Sequence, residues 1–247
     1  MATERVQFAI SFDDFQNRYA PATLQAASLD EAAPALFRSR WDLVQAFTFV
    51  LARPLTLTTG IRIEQLVPNL AGARTATIVS TAGTLRFHRR WTGAAASTRE
   101  LDLVYSLRAA PPSFSPDFAF TREEFTGRYS WRRNRHRVET NVLAGAISGN
   151  APILDRFVLG TGTMLRGWDK FALDPLGGNR VAAASFTYGY RAVRVFYDTG
   201  AIWSRGIAPE PRQSAGAGFE KDRLLLALAF PLRQGHIDPT LIVGTSF

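Results

Sequence analysis

At 247 residues the chain holds one large β domain or two small ones. Its mean hydropathy is -0.05, and no apolar run reaches the roughly 20 residues of a spanning helix. A helical membrane protein is therefore excluded; a β-barrel is not, because barrel strands alternate and average to neutral hydropathy. The absence of cysteine excludes a disulfide framework and thiol chemistry, and the net charge of +8 rests on arginine, Lys170 and Lys221 being the only lysines.

The first strand reads from Val6, Phe8, Ile10 and Phe12, which alternate with Gln7, Ala9 and Ser11. Residues 13–37 are rich in Asp, Asn, Pro and Ala and read as a long loop, Ala32–Ala35 being the one candidate for a helical turn. Arg38–Ala52 is extended, and Arg53-Pro54 makes a tight turn. Leu55, Leu57, Thr59, Ile61 and Ile63 then alternate with Thr56, Thr58, Gly60, Arg62 and Glu64. After a loop over 68–72, a strand over about 74–91 places Leu85, Phe87, Arg89 and Trp91 on one face and Arg86, His88 and Arg90 on the other. A turn over 92–97 leads to Leu101, Leu103, Tyr105 and Leu107, then to a proline-rich loop over 109–116.

The next strand carries Phe125, Gly127, Tyr129 and Trp131 on one face and Arg122, Glu124, Arg128 and Arg132 on the other; it turns near Asn134 into a strand over 138–147. Residues 148–178 are too glycine-rich for a helix and too irregular for a strand, so they form a loop between strands. Strands follow at 179–190, 192–204, 214–220, 224–232 and 240–247, for about twelve in all, without helices between them. Connections alternate short and long along the chain, the asymmetry of an up-and-down transmembrane barrel; the chain ends fall on the short-turn side. The fold class predicted is an all-β, antiparallel up-and-down barrel of about twelve strands, residues 1–247 forming one domain.

Within the loop, Leu165-Arg166-Gly167-Trp168 is the sharpest segment, since Gly167 lets the backbone turn tightly beside a large guanidinium. Asp198, in Phe196-Tyr197-Asp198-Thr199-Gly200-Ala201-Ile202-Trp203, shares a face with Arg194, Phe196 and Gly200, while Val193, Val195 and Tyr197 make a lipid face. A lumenal acid is tolerated where a lipid-facing one is not.

From Pro152 to Phe247 the sequence resembles the C-terminal barrel half of the BamA/TamA superfamily of outer-membrane assembly and translocation proteins, which includes bacterial surface antigens. Leu154-Asp155-Arg156-Phe157 leading into Leu165-Arg166-Gly167-Trp168 resembles the family's lid-loop motif. Gly177-Gly178-Asn179 with Ala182–Ser185, the Asp-x-Gly strand at Asp198-Thr199-Gly200, Ser214–Phe219 and Ala229–Leu232 follow in the family's order, and the last strand ends in Phe247.

The resemblance implies that loop 148–178 folds into the lumen and that Arg166 pairs with Asp198 beside Gly200. It implies that Phe247 is the C-terminal strand signal read by the assembly machinery. Thr187 stands where many members carry a second acid, which implies a thinner network around the arginine. Members usually have about sixteen strands, so the missing ones would be N-terminal, and no POTRA repeat precedes the barrel.

Other chemistries are poorly supported. His88, His136 and His236 lack ligand spacing, so no metal or cofactor is expected. Glu123 and Glu124 point to opposite faces of a strand and cannot act as a carboxylate pair. Gly160-Thr161-Gly162 does not open a helix after a strand, and there is no nucleophile elbow. The basic run Trp131–Arg137 reads as a hairpin turn at a membrane surface, with Tyr129 and Trp131 in the aromatic girdle and arginines near phosphates, in preference to a nucleic-acid site.

The expected function is therefore non-enzymatic: insertion of outer-membrane proteins, or translocation of polypeptides, in the bacterial outer membrane. The expected partners are outer-membrane lipids, including lipopolysaccharide, and client polypeptides. Three alternatives stay open: a barrel anchoring a longer protein whose upstream domain carries the activity, a small passive pore, and a soluble basic β protein. No apolar segment of signal-peptide type follows Met1–Arg5, which favours the anchor.

Overall fold

The computed structural model describes residues 5–29, 35–69, 74–93, 97–160, 164–169, 173–221, 224–232 and 238–245. Its strands are β1 (Val6–Gln16), β2 (Phe37–Ala52), β3 (Leu55–Pro68), β4 (Ala76–Thr92), β5 (Thr98–Ala110), β6 (Phe120–Arg133), β7 (His136–Gly149), β8 (Arg180–Tyr190), β9 (Val193–Trp203), β10 (Arg212–Lys221), β11 (Leu224–Pro231) and β12 (Thr240–Thr245). They form one antiparallel sheet of 12 strands in sequence order. β1 and β12 end the order, and among the described residues no pairing joins them.

The period-two patterns locate the strands because a side chain every second residue shares a face. On β9, Val193, Val195 and Tyr197 are exposed, whereas Phe196 and Asp198 are buried. Leu224, Leu226 and Leu228 of β11 are exposed, with Ala227 and Ala229 buried between them. β9 and β11 thus each present an apolar, exposed face and a buried one, and the buried face of β9 carries Asp198.

The tight reversals use left-handed backbone: Asn134 and Arg191 both have φ of 54° at the β6–β7 and β8–β9 turns. Asn tolerates that conformation through its short polar side chain. Arg191 does so while its N–H donates to Arg135 O at 2.8 Å.

One expectation changes. Residues 13–37 do not form a plain loop: β1 runs on to Gln16, and a helix α1 spans Pro21–Leu29. Proline suits the first turn of a helix, where its missing N–H costs nothing, and Ala22, Leu24, Gln25, Ala26 and Ala27 are good helix formers. Ala32, Ala33 and Pro34 lie outside the described residues, as do Phe247, His236 and Thr161–Thr163 of the long loop.

The chain divides into two compact units. The first comprises Met1–Phe87, Val104–Glu124 and Gly145–Arg156. In it, β1 pairs with β2 so that Phe8 meets Phe47, with ring centroids 4.9 Å apart. The chain before α1 is tied to the start of β2: the Tyr19 hydroxyl donates to Phe37 O at 3.0 Å and accepts from Phe37 N–H at 2.9 Å. The second comprises His88–Leu103, Phe125–Ala144 and Phe157–Phe247. Its described core of Phe196, Ala227 and Ala229, with Ile242 packed against it, lies beneath the long loop.

Candidate functional site

The site in the second unit starts from the covered face of β8–β11. In the β9–β10 register, Phe196 faces Gly216 and Asp198 faces Ser214; in the β8–β9 register, Thr187 faces Phe196 and Ser185 faces Asp198. This face is lined by small side chains, and the space they leave is filled from above. A Cβ at Gly216 would collide with the Phe196 ring, so the ring lies down across β10 because residue 216 is glycine.

The loop that fills the space closes at its base through a bridge between Phe157 and Gly178, each N–H donating to the other's carbonyl at 2.9 Å. Buried Leu159 then takes the notch left by Gly200, where a Cβ would lie 2.8 Å from Leu159 Cδ2. Further on, Leu165 with φ of 56° and Gly167 with φ of 85° bracket Arg166 in a tight turn. A Cβ on Gly167 would approach Ala229 Cβ to 2.9 Å, so glycine is needed there for the space as well as for the backbone. The turn is held from outside by Thr240, whose hydroxyl donates to Gly167 O at 3.2 Å. Trp168 is buried and its Nε1–H donates to Gln213 O at 2.9 Å.

Arg166 then meets Asp198. Its backbone N–H and its Nε–H donate to Asp198 Oδ2 at 2.9 and 2.8 Å, and its Nη2–H donates to Oδ1 at 2.6 Å. Nη2 also donates to Ser185 Oγ at 3.0 Å and Thr187 Oγ1 at 3.2 Å. The guanidinium stacks on the Phe196 ring at 3.7 Å. Asp198 is 0% exposed, so its charge depends on these donors. A planar fork suits the task, since it meets both carboxylate oxygens and keeps its charge when partly buried. Thr187, expected to thin the network, contributes an acceptor to it.

Next to the clamp is a cavity of about 170 Å³ lined in part by Arg137, Glu139, Arg166, Thr187, Arg194 and Glu220. Its charges are paired: Arg137 to Glu139 at 2.9 Å and to Glu220 at 3.4 Å, and Arg194 to Glu220 at 3.1 Å.

A second charged cluster lies within the first unit and holds the start of the long loop. The β2–β3 register sets Asp42 opposite Glu64, both buried. Arg62 Nη2 bridges them at 2.6 and 3.1 Å, and Arg108 Nη2 pairs with Glu64. Arg108 Nη1 donates to Asp155 Oδ1 at 2.8 Å, and Arg122 Nε donates to the Asp155 carbonyl at 3.1 Å. Asp155 sits in a 3-10 turn, Ile153–Asp155.

Sequence reading named Leu165, Arg166, Gly167, Trp168, Asp198 and Gly200, and the structure brings all of them to the loop. Gly200 serves it through Leu159. Reading by motif missed Ser185, Phe196 as a stacking partner and Gly216, and it missed Glu64 and Arg108 entirely. Strand parity could have found Ser185 and Phe196; nothing local marks Arg108. Chemically, the arrangement grips and positions. The carboxylates of both clusters face arginines, so their oxygens are taken up in ion pairs. His136 is taken up by Tyr188, with Nδ1 and the phenol oxygen 2.7 Å apart.

The Omp85 superfamily domain matches residues 97–221, about half of the chain. No curated protein matches the chain in sequence. Among solved structures, the crystal structure of BamA from Haemophilus ducreyi lacking POTRA domains 1-3 superposes with a TM-score of 0.65 at 14% identity, over 98% of this chain and 59% of that one. The chain thus spans about three-fifths of that relative's length. The likeness is one of fold, an all-β barrel of the BamA type.

Proposed function

This chain belongs to the Omp85 superfamily, and on that footing we propose that it works in the bacterial outer membrane, inserting outer-membrane proteins or passing polypeptides across the bilayer. Residues 1–247 would act as one barrel domain with 148–178 as its lid loop, without catalysis and without a cofactor. The lipids of that membrane, lipopolysaccharide included, and unfolded client polypeptides are the partners of this reading; nucleic acid is not.

The observation that carries it is the clamp of Arg166 on Asp198, stacked on Phe196. It fixes a loop against the covered face of the last strands while β1 and β12 keep unpaired edges among the described residues. An unpaired edge offers backbone N–H and C=O groups to an incoming strand, and the clamp keeps the neighbouring strands in register while that happens.

The test is reconstitution. Vesicles containing the folded chain should speed the insertion of a urea-denatured outer-membrane barrel, and Arg166→Ala should remove most of the gain. Equal insertion rates in loaded and empty vesicles, with the chain itself folded, would overturn the proposal. In that case, ion conductance that rises on deleting 160–170 would favour a pore.

A further inference from the structure

A cavity of about 780 Å³ lies within the second unit, where β4, β5 and β6 approach their short turns. Trp91, Ser97, Arg99, Tyr129, Trp131 and Arg133 line it. Strand parity places its large side chains on the apolar face. Arg99 alternates in step with Leu101 and Leu103 on β5, and Tyr129, Trp131 and Arg133 in step with Phe125 on β6. A Cβ at Gly127 would touch Leu103 at 3.2 Å and Phe125 at 3.6 Å, so the apolar part of that face is continuous between the two strands.

Toward the turns the face changes in order: aliphatic and phenyl groups, then Tyr129 and Trp131, then Arg99 and Arg133. That order follows the depth profile of half a bilayer, from acyl chain through interface to phosphate. Trp91 adds a third amphipathic ring, with the Arg89 guanidinium 5.1 Å from its centre.

Charge points the same way. In the two clusters of the covered face the arginines are matched by carboxylates. Arg99 and Arg133 are exposed and have no ion pair among the described residues, and no acidic side chain lines the cavity. The adjacent carboxylate, Glu100, alternates to the other face of β5 and lies 4.0 Å from His88.

We propose that this cavity binds the headgroup of an anionic phospholipid, its phosphate held between Arg99 and Arg133 and its glycerol end packed against Trp91, Tyr129 and Trp131. Rings that are apolar at one end and wet at the other suit the glycerol level. Two guanidiniums set close to one phosphate give it the bidentate donors that a choline headgroup's own cation would disfavour. The inference rests on the membrane reading above, under which short turns face the periplasm, so the lipid belongs to the inner leaflet.

The experiment is native mass spectrometry of the full chain, folded in dodecylmaltoside, with dioleoylphosphatidylglycerol and dioleoylphosphatidylcholine in competition. One phosphatidylglycerol should be retained in preference by about tenfold or more, and Arg99→Gln with Arg133→Gln should abolish that preference. Arg53→Gln with Arg205→Gln removes the same charge elsewhere and should leave it intact. Undiminished preference in the first pair, equal loss in both pairs, or equal competition by inorganic phosphate would each overturn the lipid site. A wild type whose migration on a gel does not change on boiling would instead sink the barrel reading beneath it.

Discussion

The guanidinium of Arg166 lies 3.7 Å from the centre of the Phe196 ring, and that ring occupies the space a side chain at Gly216 would need. The choices of two strands and a loop meet in one contact: the loop supplies the cation, β9 the ring and β10 the vacancy. Gly216→Val should therefore act on Arg166 at a distance. It lifts Phe196, removes a desolvated stacking contact of about 2 kcal/mol, and should lower the temperature at which the unboiled gel shift is lost. Phe196→Ala should lower it further, because it also empties the core beside Ala227 and Ala229.

Arg166 and Asp198 should behave as one unit. Leaving either alone strands a charge in a buried setting, at a cost of roughly 3–5 kcal/mol. Arg166→Lys should recover little, because an ammonium cannot meet both oxygens and the two hydroxyls together. In a double-mutant cycle with Asp198→Asn, urea unfolding in micelles should give a coupling of about 2 kcal/mol. Simple additivity would mean that the pair is incidental to stability.

Gly167→Ala tests the turn itself. The left-handed backbone alone costs an L side chain about 1 kcal/mol, and the crowding against Ala229 and Pro231 adds to it. Partial loss of the Arg166 grip is expected, visible as faster trypsin cleavage within 160–170.

Arg108→Met examines the other end of the loop. Glu64 and Asp155 lose their shared partner, and the loss should be of the order of 3 kcal/mol. Cleavage after Arg156 should rise while the Arg166–Asp198 clamp persists. If Asp155→Asn and Arg108→Met leave proteolysis at Arg156 unchanged, the cluster does not hold the loop.

Tyr19 gives an alkaline signature. Burial raises its phenol above the usual value of 10.0, and its bond to the Phe37 backbone offsets this only in part. A group whose pKa rises on folding contributes stability that is complete below its unfolded pKa and is lost as pH climbs through the folded value. The wild type should thus lose stability above about pH 10. Tyr19→Phe, which cannot ionise, should show a shallower decline when melting is followed from pH 9 to 12.

Strand positions were legible because their faces differ chemically: Val193, Val195 and Tyr197 against Phe196 and Asp198 is a pattern that a period of two exposes. The clamp was legible through motif resemblance, with parity placing Asp198 on the covered side. Helix α1 was not, because nine residues rich in alanine, with one leucine near the middle and one at the end, carry no clear apolar stripe to set a helical period against a loop. The cluster around Arg108 was hidden for another reason. Asp42 and Glu64 face each other only through the β2–β3 register, and Asp155 joins them from far along the chain. A one-residue slip would turn the acids outward, and sequence alone does not fix register to that accuracy.

The bridge at the base of the long loop has a kinematic consequence. Phe157 is bridged to Gly178, and about nine residues later Arg166 is held by Asp198. If the second hold lets go while the first stays, the freed tip is on a leash of at most about 30 Å even when fully drawn out. Its search for Asp198 is then confined to a small volume. For a flexible segment this short, the effective concentration of its own partner reaches the millimolar range, so re-engagement should outpace a competing arginine in solution. Release of the tip is in this sense a reversible excursion, and lasting displacement requires the Phe157–Gly178 bridge to open as well.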